Sequence, residues 1–341
     1  MLRSARQFFR LASHIQLMPV LESGEELLVG GQAVIEGVMM RAPHSYSVVV
    51  RRPDGSTVEE RARLLRPSER RPIFKYPVFR GLGTLGQAMA LGIKALRFSA
   101  NAQIEAGAAQ PGAQPGTQPT AEPSPQPKPI SSRMIALNVA FSIAFFLFLY
   151  KFVPLFLVTE LKQRFTALEN SILFNLADGM VRIAIFLAFL ALISRMKDIH
   201  RVFEYHGAEH KVVFNYESGR PVDVANARSF STLHPRCGTS FLLVVMVISM
   251  LIYALVPFEG FWLRLLSRVA LLPLIAGVSY EVIRFAARRQ GTLWASMVKP
   301  GLWLQKVTTQ PPADDQLAIS VRALEGAMAL EKQQGGELVI A

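Results

Sequence analysis

MIALNVAFSIAFFLFLYKFVPLFLV, residues Met134–Val158, is the stretch that decides the fold. It carries a single charge, Lys151, and a single proline, Pro154. A helix needs about 20 apolar residues to cross the hydrocarbon core of a bilayer, so this run predicts a membrane span. Three later runs read the same way: Ile172–Ile193, Phe241–Phe258 and Phe261–Ala287. The second holds Asp178 and Arg182, four apart and therefore on one helix face. The third is free of charge, and the fourth has Arg264 and Arg268 near its start and Glu281 and Arg284 near its end. The whole chain agrees: 341 residues, 51% apolar, 18% charged, with a mean hydropathy of +0.29. Soluble domains rarely combine such values.

Charge in the connections sets the expected orientation. Residues 1–133 hold 17 Lys and Arg, 159–171 hold two, 194–240 seven, 259–260 none and 288–341 six. Many, few, many, none, many places both termini and the 194–240 loop in the cytoplasm under the positive-inside rule. Net charge is +12, but the arginines form no stripe interleaved with aromatics, so nucleic acid is not an expected partner. Cys237 is the one cysteine, which excludes an internal disulfide. Residues 1–27 begin with a basic, acid-free stretch in which Phe8, Phe9, Leu11 and Ile15 follow rough helical spacing. That pattern suits a helix lying on an anionic membrane surface better than a secretory signal.

Outside the spans the chain divides further. Residues 28–104 combine a β unit with a glycine-rich helix. SYSVVVRRPDGSTVEERARL is an apolar run, a Pro-Asp-Gly-Ser turn and a second strand, which predicts a hairpin. Gly81–Ile93 is an uncharged core too short to span, so 78–100 predicts an interfacial or re-entrant helix whose glycines admit a close neighbour. Residues 105–132 are rich in proline and lack large apolar side chains, the composition of a linker. Membrane domain 133–287 follows, interrupted by the 194–240 loop. In the tail, 288–341, Asp314 and Asp315 open a helix with Leu317, Val321, Leu324 and Met328 on one stripe.

The chemistry gathers in YHGAEHKVVF, Tyr205–Phe214. On a helix His206 and His210 stand one turn apart, and two imidazoles at that spacing can chelate one zinc while a neighbouring carboxylate draws a proton from water. H-x-x-E-H is the reverse of the H-E-x-x-H order. STLHPRCGTSF adds His234 and Cys237 just before the third span, and Glu281 lies near the cytoplasmic end of the fourth. The first-choice set is His206, His210 and Glu281 with Glu209 as general base; His234 is an alternative third ligand and Cys237 a further candidate. Glu36, Arg41 and Arg236 are additional polar candidates, the two arginines as anchors for an anionic group. The competing reading is structural: the histidines bond headgroups or backbone, and Glu281 pairs with Arg284.

GGQAVIEGVMMRAP, YPVFRGLGTL, YHGAEHKVVF, HPRCGTSF, SYEVIRF and KPGLWLQKVTTQPPADDQLAIS, in this order, resemble the YqhQ-like family of bacterial membrane proteins. The resemblance runs from about Leu28 to Leu324, with the proline linker as an insertion. It implies a domain of unknown function, described as a predicted metal-dependent enzyme, in the bacterial inner membrane. The expected fold is mainly α: an integral membrane protein with about four transmembrane helices, a small cytoplasmic α+β part and an interfacial glycine-rich helix. The expected activity is metal-dependent hydrolysis with a divalent metal, zinc first, at the cytoplasmic face. The alternative is a non-enzymatic scaffold or assembly factor. Expected partners are the bilayer and either another membrane protein or a second copy of the chain.

Overall fold

The computed structural model describes residues 29–108, 132–287 (apart from Arg236, Pro257 and Glu259) and 299–333. The basic N-terminal segment, most of the proline linker and the Arg236 side chain lie outside the described residues. The fold is mainly helical, with one small antiparallel sheet.

The sheet is a meander, β1 (Gly30–Val34), β2 (Gly37–Arg41), β3 (Ser45–Arg51) and β4 (Thr57–Arg63), paired in sequence order. The predicted hairpin is β3–β4. Its turn holds Gly55 at φ +84°, and the Asp54 carboxylate accepts from the Ser56 amide at 2.8 Å. The β1–β2 hairpin has no glycine in its two-residue connection. Glu36 sits there at φ +52°, where side chains other than Asn or Asp are uncommon. Its carboxylate accepts from Arg201 Nη2 at 2.8 Å and from Arg51 Nη2 and the Tyr205 hydroxyl, each at 3.2 Å, which holds the turn in place.

Alternation in β3 explains the odd sequence SYSVVV. Tyr46, Val48 and Val50 join Val34, Met39 and Leu64 in the core under α1 (Phe79–Ala108), which contributes Leu91, Ala95 and Ala102. Ser45, Ser47 and Val49 take the opposite face. There the tail helix α11 (Asp314–Gln333) comes so close that a Cβ on Gly326 would stand 2.7 Å from Ser47 Oγ. Ser45 Oγ donates to the Ala327 carbonyl at 2.8 Å. Leu317, Val321, Leu324 and Met328, the predicted stripe, are all buried against Val38, Met40 and Val49 and against α5 (Lys197–Glu217). The sheet is thus a filling between α1 and the pair α5–α11, built from the three segments expected to form the α+β part.

Apolar helices stand beside this unit. Ser132–Leu147 (α2) passes through a π turn, Phe148–Phe152, into α3 (Val153–Lys162), and α4 is Ser171–Ile193. Ala136–Lys162 and α4 are long and apolar enough to cross a membrane. Their outer faces expose Phe141, Phe148, Ile172 and Met180, as a helix in lipid does. The other two predicted spans are less simple. After the short α6 (Val224–Arg228), α7 (Gly238–Ala254) has only Phe241–Ala254 as a continuous apolar stretch, shorter than a span. The fourth run breaks into α8 (Phe261–Ala270) and α9 (Leu272–Ala287), bent by 48°. Pro273 at the start of α9 cannot donate to the preceding turn, which accounts for the break. Two spans are therefore defined by length and composition, and three if the bent pair counts as one.

The glycine-rich segment also differs from expectation. It is one continuous helix of 30 residues, and it is not among the helices apolar enough to span. Its first turns lie on α9, where a Cβ on Gly81 would meet the Tyr280 side chain at 2.8 Å. Its later turns cover the sheet, where a Cβ on Gly92 would meet the Gln32 amide at 2.5 Å. The helix runs past residue 100 because Leu91, Ala95 and Ala102 keep the apolar stripe going, while Lys94 reaches the sheet edge and pairs with Glu60 of β4 at 2.6 Å.

Candidate metal centre

Helix α5 carries His206 and His210 on the side turned away from the sheet. Gly207 between them has a packing reason: a Cβ there would lie 2.1 Å from the Gln310 carbonyl oxygen. That close approach brings the end of α10 (Lys299–Thr308) alongside, and the His206 Nδ1–H donates to the Thr308 carbonyl at 2.8 Å. His210 Nδ1 bonds in the same way to the Thr232 carbonyl. A carbonyl only accepts, so both Nδ1 atoms carry the proton, and in the neutral rings both Nε2 atoms are left with a lone pair.

Those lone pairs meet the thiol. Cys237 caps the N-terminus of α7, and its Sγ lies 3.3 Å from His206 Nε2. His206, His210 and Cys237 each present one ligand atom within 4.8 Å of the other two. Tetrahedral zinc, with bonds of about 2.0–2.3 Å, separates its donors by about 3.3–3.8 Å. The donor types suit zinc or a similar borderline metal, the Cys237–His206 pair stands at that separation, and the backbone carbonyls behind both imidazoles are the second contacts that such ligands use. Glu209 stands beside them, 6% exposed, with Oε2 at 3.6 Å from His210 Nε2. Its room comes from glycine: a Cβ on Gly31 in β1 would sit 2.7 Å from Glu209 Cγ.

His234 is close but turned to other work. Its ring packs on Phe214 (4.3 Å between centroids) and Nε2 lies 3.3 Å from Glu217. Burial lowers its pKa, opposed by the Glu209 charge, which leaves a neutral ring. Gln305, fully buried, clamps its backbone: the His234 amide donates to Oε1 at 2.7 Å and Nε2 donates to the His234 carbonyl at 2.8 Å.

Three predicted site residues lie elsewhere. Glu281, the first-choice third ligand, pairs with the Arg80 guanidinium through both oxygens, and Cys237 occupies the position expected for it. Arg80, in the first turn of α1, supplies the countercharge to Glu281. Arg41 donates to Gln87 of α1 at 2.8 Å, and Glu36 holds the β1–β2 turn. Sequence reasoning missed Gln305 and the carbonyls of Thr232 and Thr308. The carbonyls carry no residue-type signal at all; Gln305 lies in a quoted motif, but its role depends on a contact 71 residues away.

Fold and site together define a mainly helical protein with apolar helices of membrane-spanning length, a covered four-stranded sheet and a buried His/Cys/Glu cluster between them. The family described as "Protein of unknown function (DUF1385)" matches residues 76–330, and the chain belongs to it. It is 33% identical over 303 residues to the "Uncharacterized protein YqhQ" of Bacillus subtilis (strain 168), covering 89% of this chain and 92% of that one. No solved structure matches.

Proposed function

We propose that this protein is a metal-dependent hydrolase of the cytoplasmic membrane face, with His206, His210 and Cys237 as ligands and Glu209 as general base. The observation that carries this reading is the pair of Nδ1–carbonyl bonds, with His206 Nε2 left 3.3 Å from the Cys237 thiol and a ring nitrogen of His210 within 4.8 Å of both. A scaffold needs no such convergence of lone pairs. Bound zinc would supply a Lewis acid for water activation. The chain's own part is then to hold the ligands by Thr232, Thr308 and Gln305 and to take a proton on the Glu209 carboxylate. A substrate bond carried by a lipid or a membrane peptide fits a site beside the spans.

The orientation that goes with this reading has four crossings, counting α7 and the bent α8–α9 pair, with both termini cytoplasmic. It rests on the charge alternation of the connections. Topology reporters fused after residues 165 and 220 test it, with opposite sides expected.

Elemental analysis of the purified protein, made without a histidine tag, tests the metal. One equivalent of zinc or a similar metal is expected, lost in the His206→Ala/His210→Ala variant. Cobalt substitution should add a thiolate charge-transfer band that Cys237→Ser removes. Wild-type protein that takes up no metal after incubation with zinc would overturn the hydrolase and leave the cluster as a structural tie between α5, α7 and α10.

A further inference from the structure

Between the spans lies a second buried polar group that the proposed reaction does not use. Asp178 and Arg182 of α4 form the ion pair their spacing suggests, but they are not alone. Arg268 of α8 donates from Nη1 to Asp178 Oδ1 at 2.6 Å and from Nη2 to Asn175 Oδ1 at 3.1 Å. Arg182 Nη1 donates to Ser249 Oγ of α7 at 2.8 Å. Lys151, in the π turn, donates to the Tyr253 hydroxyl at 3.0 Å, which in turn donates to the Arg268 carbonyl. All four charged residues are at most 4% exposed.

The charges do not cancel. Among the described residues, Lys151, Arg182 and Arg268 face one carboxylate, so with all three protonated two positive charges are in excess. The three cationic groups stand 5.1–5.3 Å from the Tyr253 ring centroid, an attraction but not a countercharge. One donor is also left over: Arg182 Nε is buried with no hydrogen-bond partner. Arg182 is the twelfth of the 23 residues of α4, close to mid-span, where water and headgroups are farthest away. Uncompensated charge at that depth is costly, and such residues mark functional sites in membrane proteins.

We propose that Lys151, Arg182 and Arg268 form an intramembrane binding site for a small inorganic anion, with Arg182 Nε as its free donor and Asp178 as the group that orders the two guanidiniums. The anion supplies the missing negative charge inside the bundle. The site is independent of the metal centre.

The test uses full-length protein in nanodiscs of zwitterionic lipid, equilibrated in gluconate. Thermal unfolding is followed as chloride, and separately phosphate, replaces gluconate. A saturable rise in Tm of about 5 °C is expected for the anion that fits. Lys151→Met, which removes excess charge without touching the Asp178 pairs, should unfold at a higher temperature in gluconate and respond to neither anion. Lys151→Gln serves the same purpose if the methionine variant does not fold. A wild-type Tm that is flat in both anions overturns the site. So does a response that survives both lysine variants, because that is a general salt effect. Stabilisation seen only when anionic lipid is added, with none from free chloride or phosphate, assigns the charge to a headgroup and also overturns it.

Discussion

The metal centre and the bundle cluster, two of the buried polar groups among the described residues, are electrostatic opposites. At the first, two imidazoles held by backbone carbonyls stand with a thiol and a carboxylate, groups suited to a cation. In the bundle the donors are guanidinium and ammonium groups around one carboxylate; what is missing is an anion. Residue types alone do not separate these cases, since both contain an acid and several nitrogens. The backbone separates them. Carbonyls fix the imidazole tautomers at the first site, while apolar helices, two of them long enough to span a bilayer or three with the bent pair as one, enclose the second.

The sharpest way to break the comparison is Asp178→Asn. It leaves three buried cations with no carboxylate, and a loss of about 3–5 kcal/mol is expected, seen as poor recovery or a sharply lowered Tm in detergent. Glu209→Gln should do far less to folding. Equal losses for the two would mean that the clusters have the same character.

Next in size is Gly207→Ala. Helix propensity favours alanine by about 1 kcal/mol, but its Cβ overlaps the Gln310 carbonyl, so a net loss of about 1–3 kcal/mol is expected from overpacking. Metal content should fall with it, because the same contact positions Thr308. A stabilised variant would show that α10 does not approach α5 so closely.

Gln305→Ala sharpens the metal side. It frees the His234 loop that leads to Cys237, and metal affinity should drop about 10–100-fold, the usual effect of losing a supporting contact. Competition with a chelator of known affinity measures it. An unchanged affinity would place the loop under the control of other contacts.

The smallest effect is a pH dependence at Glu36. Burial raises its pKa, but Arg201 and Arg51 outweigh that and hold the carboxyl below its ordinary value. A depressed folded pKa adds stability above the unfolded value of about 4.5 and loses it as pH falls through the folded value. Wild type should therefore lose more stability than Glu36→Gln between about pH 5 and pH 3. Parallel curves in circular dichroism would remove Glu36 as an anchor of the turn.

Much of this was legible in the sequence, unevenly. The β3–β4 hairpin announced itself through Pro-Asp-Gly-Ser, and the tail stripe through its spacing, because local chemistry decides both. The β1–β2 turn did not, since Glu36 is held there by Arg201 and Tyr205 from another element. His206, Glu209, His210 and Cys237 were visible as residue types. That Cys237 and not Glu281 completes the trio depends on where Arg80 lands, and nothing near Glu281 predicts that. The bundle cluster was read as a lone i, i+4 pair because Lys151 and Arg268 reach it from other helices. Long-range charge balance is a property of the fold, not of any window of sequence.

Helix α1 gives the molecule a mechanical property. Thirty helical residues make a rod of about 45 Å, seated at one end on Tyr280 of α9 and farther along on Gln32 of β1. Gln32 is the neighbour of Gly31, whose backbone lies against Glu209. A stiff lever thus runs from the wall of the bundle to the carboxylate beside the metal site. A tilt of α9, the response of a spanning helix to bilayer thickness, is therefore expected to reach Glu209 through α1 and β1.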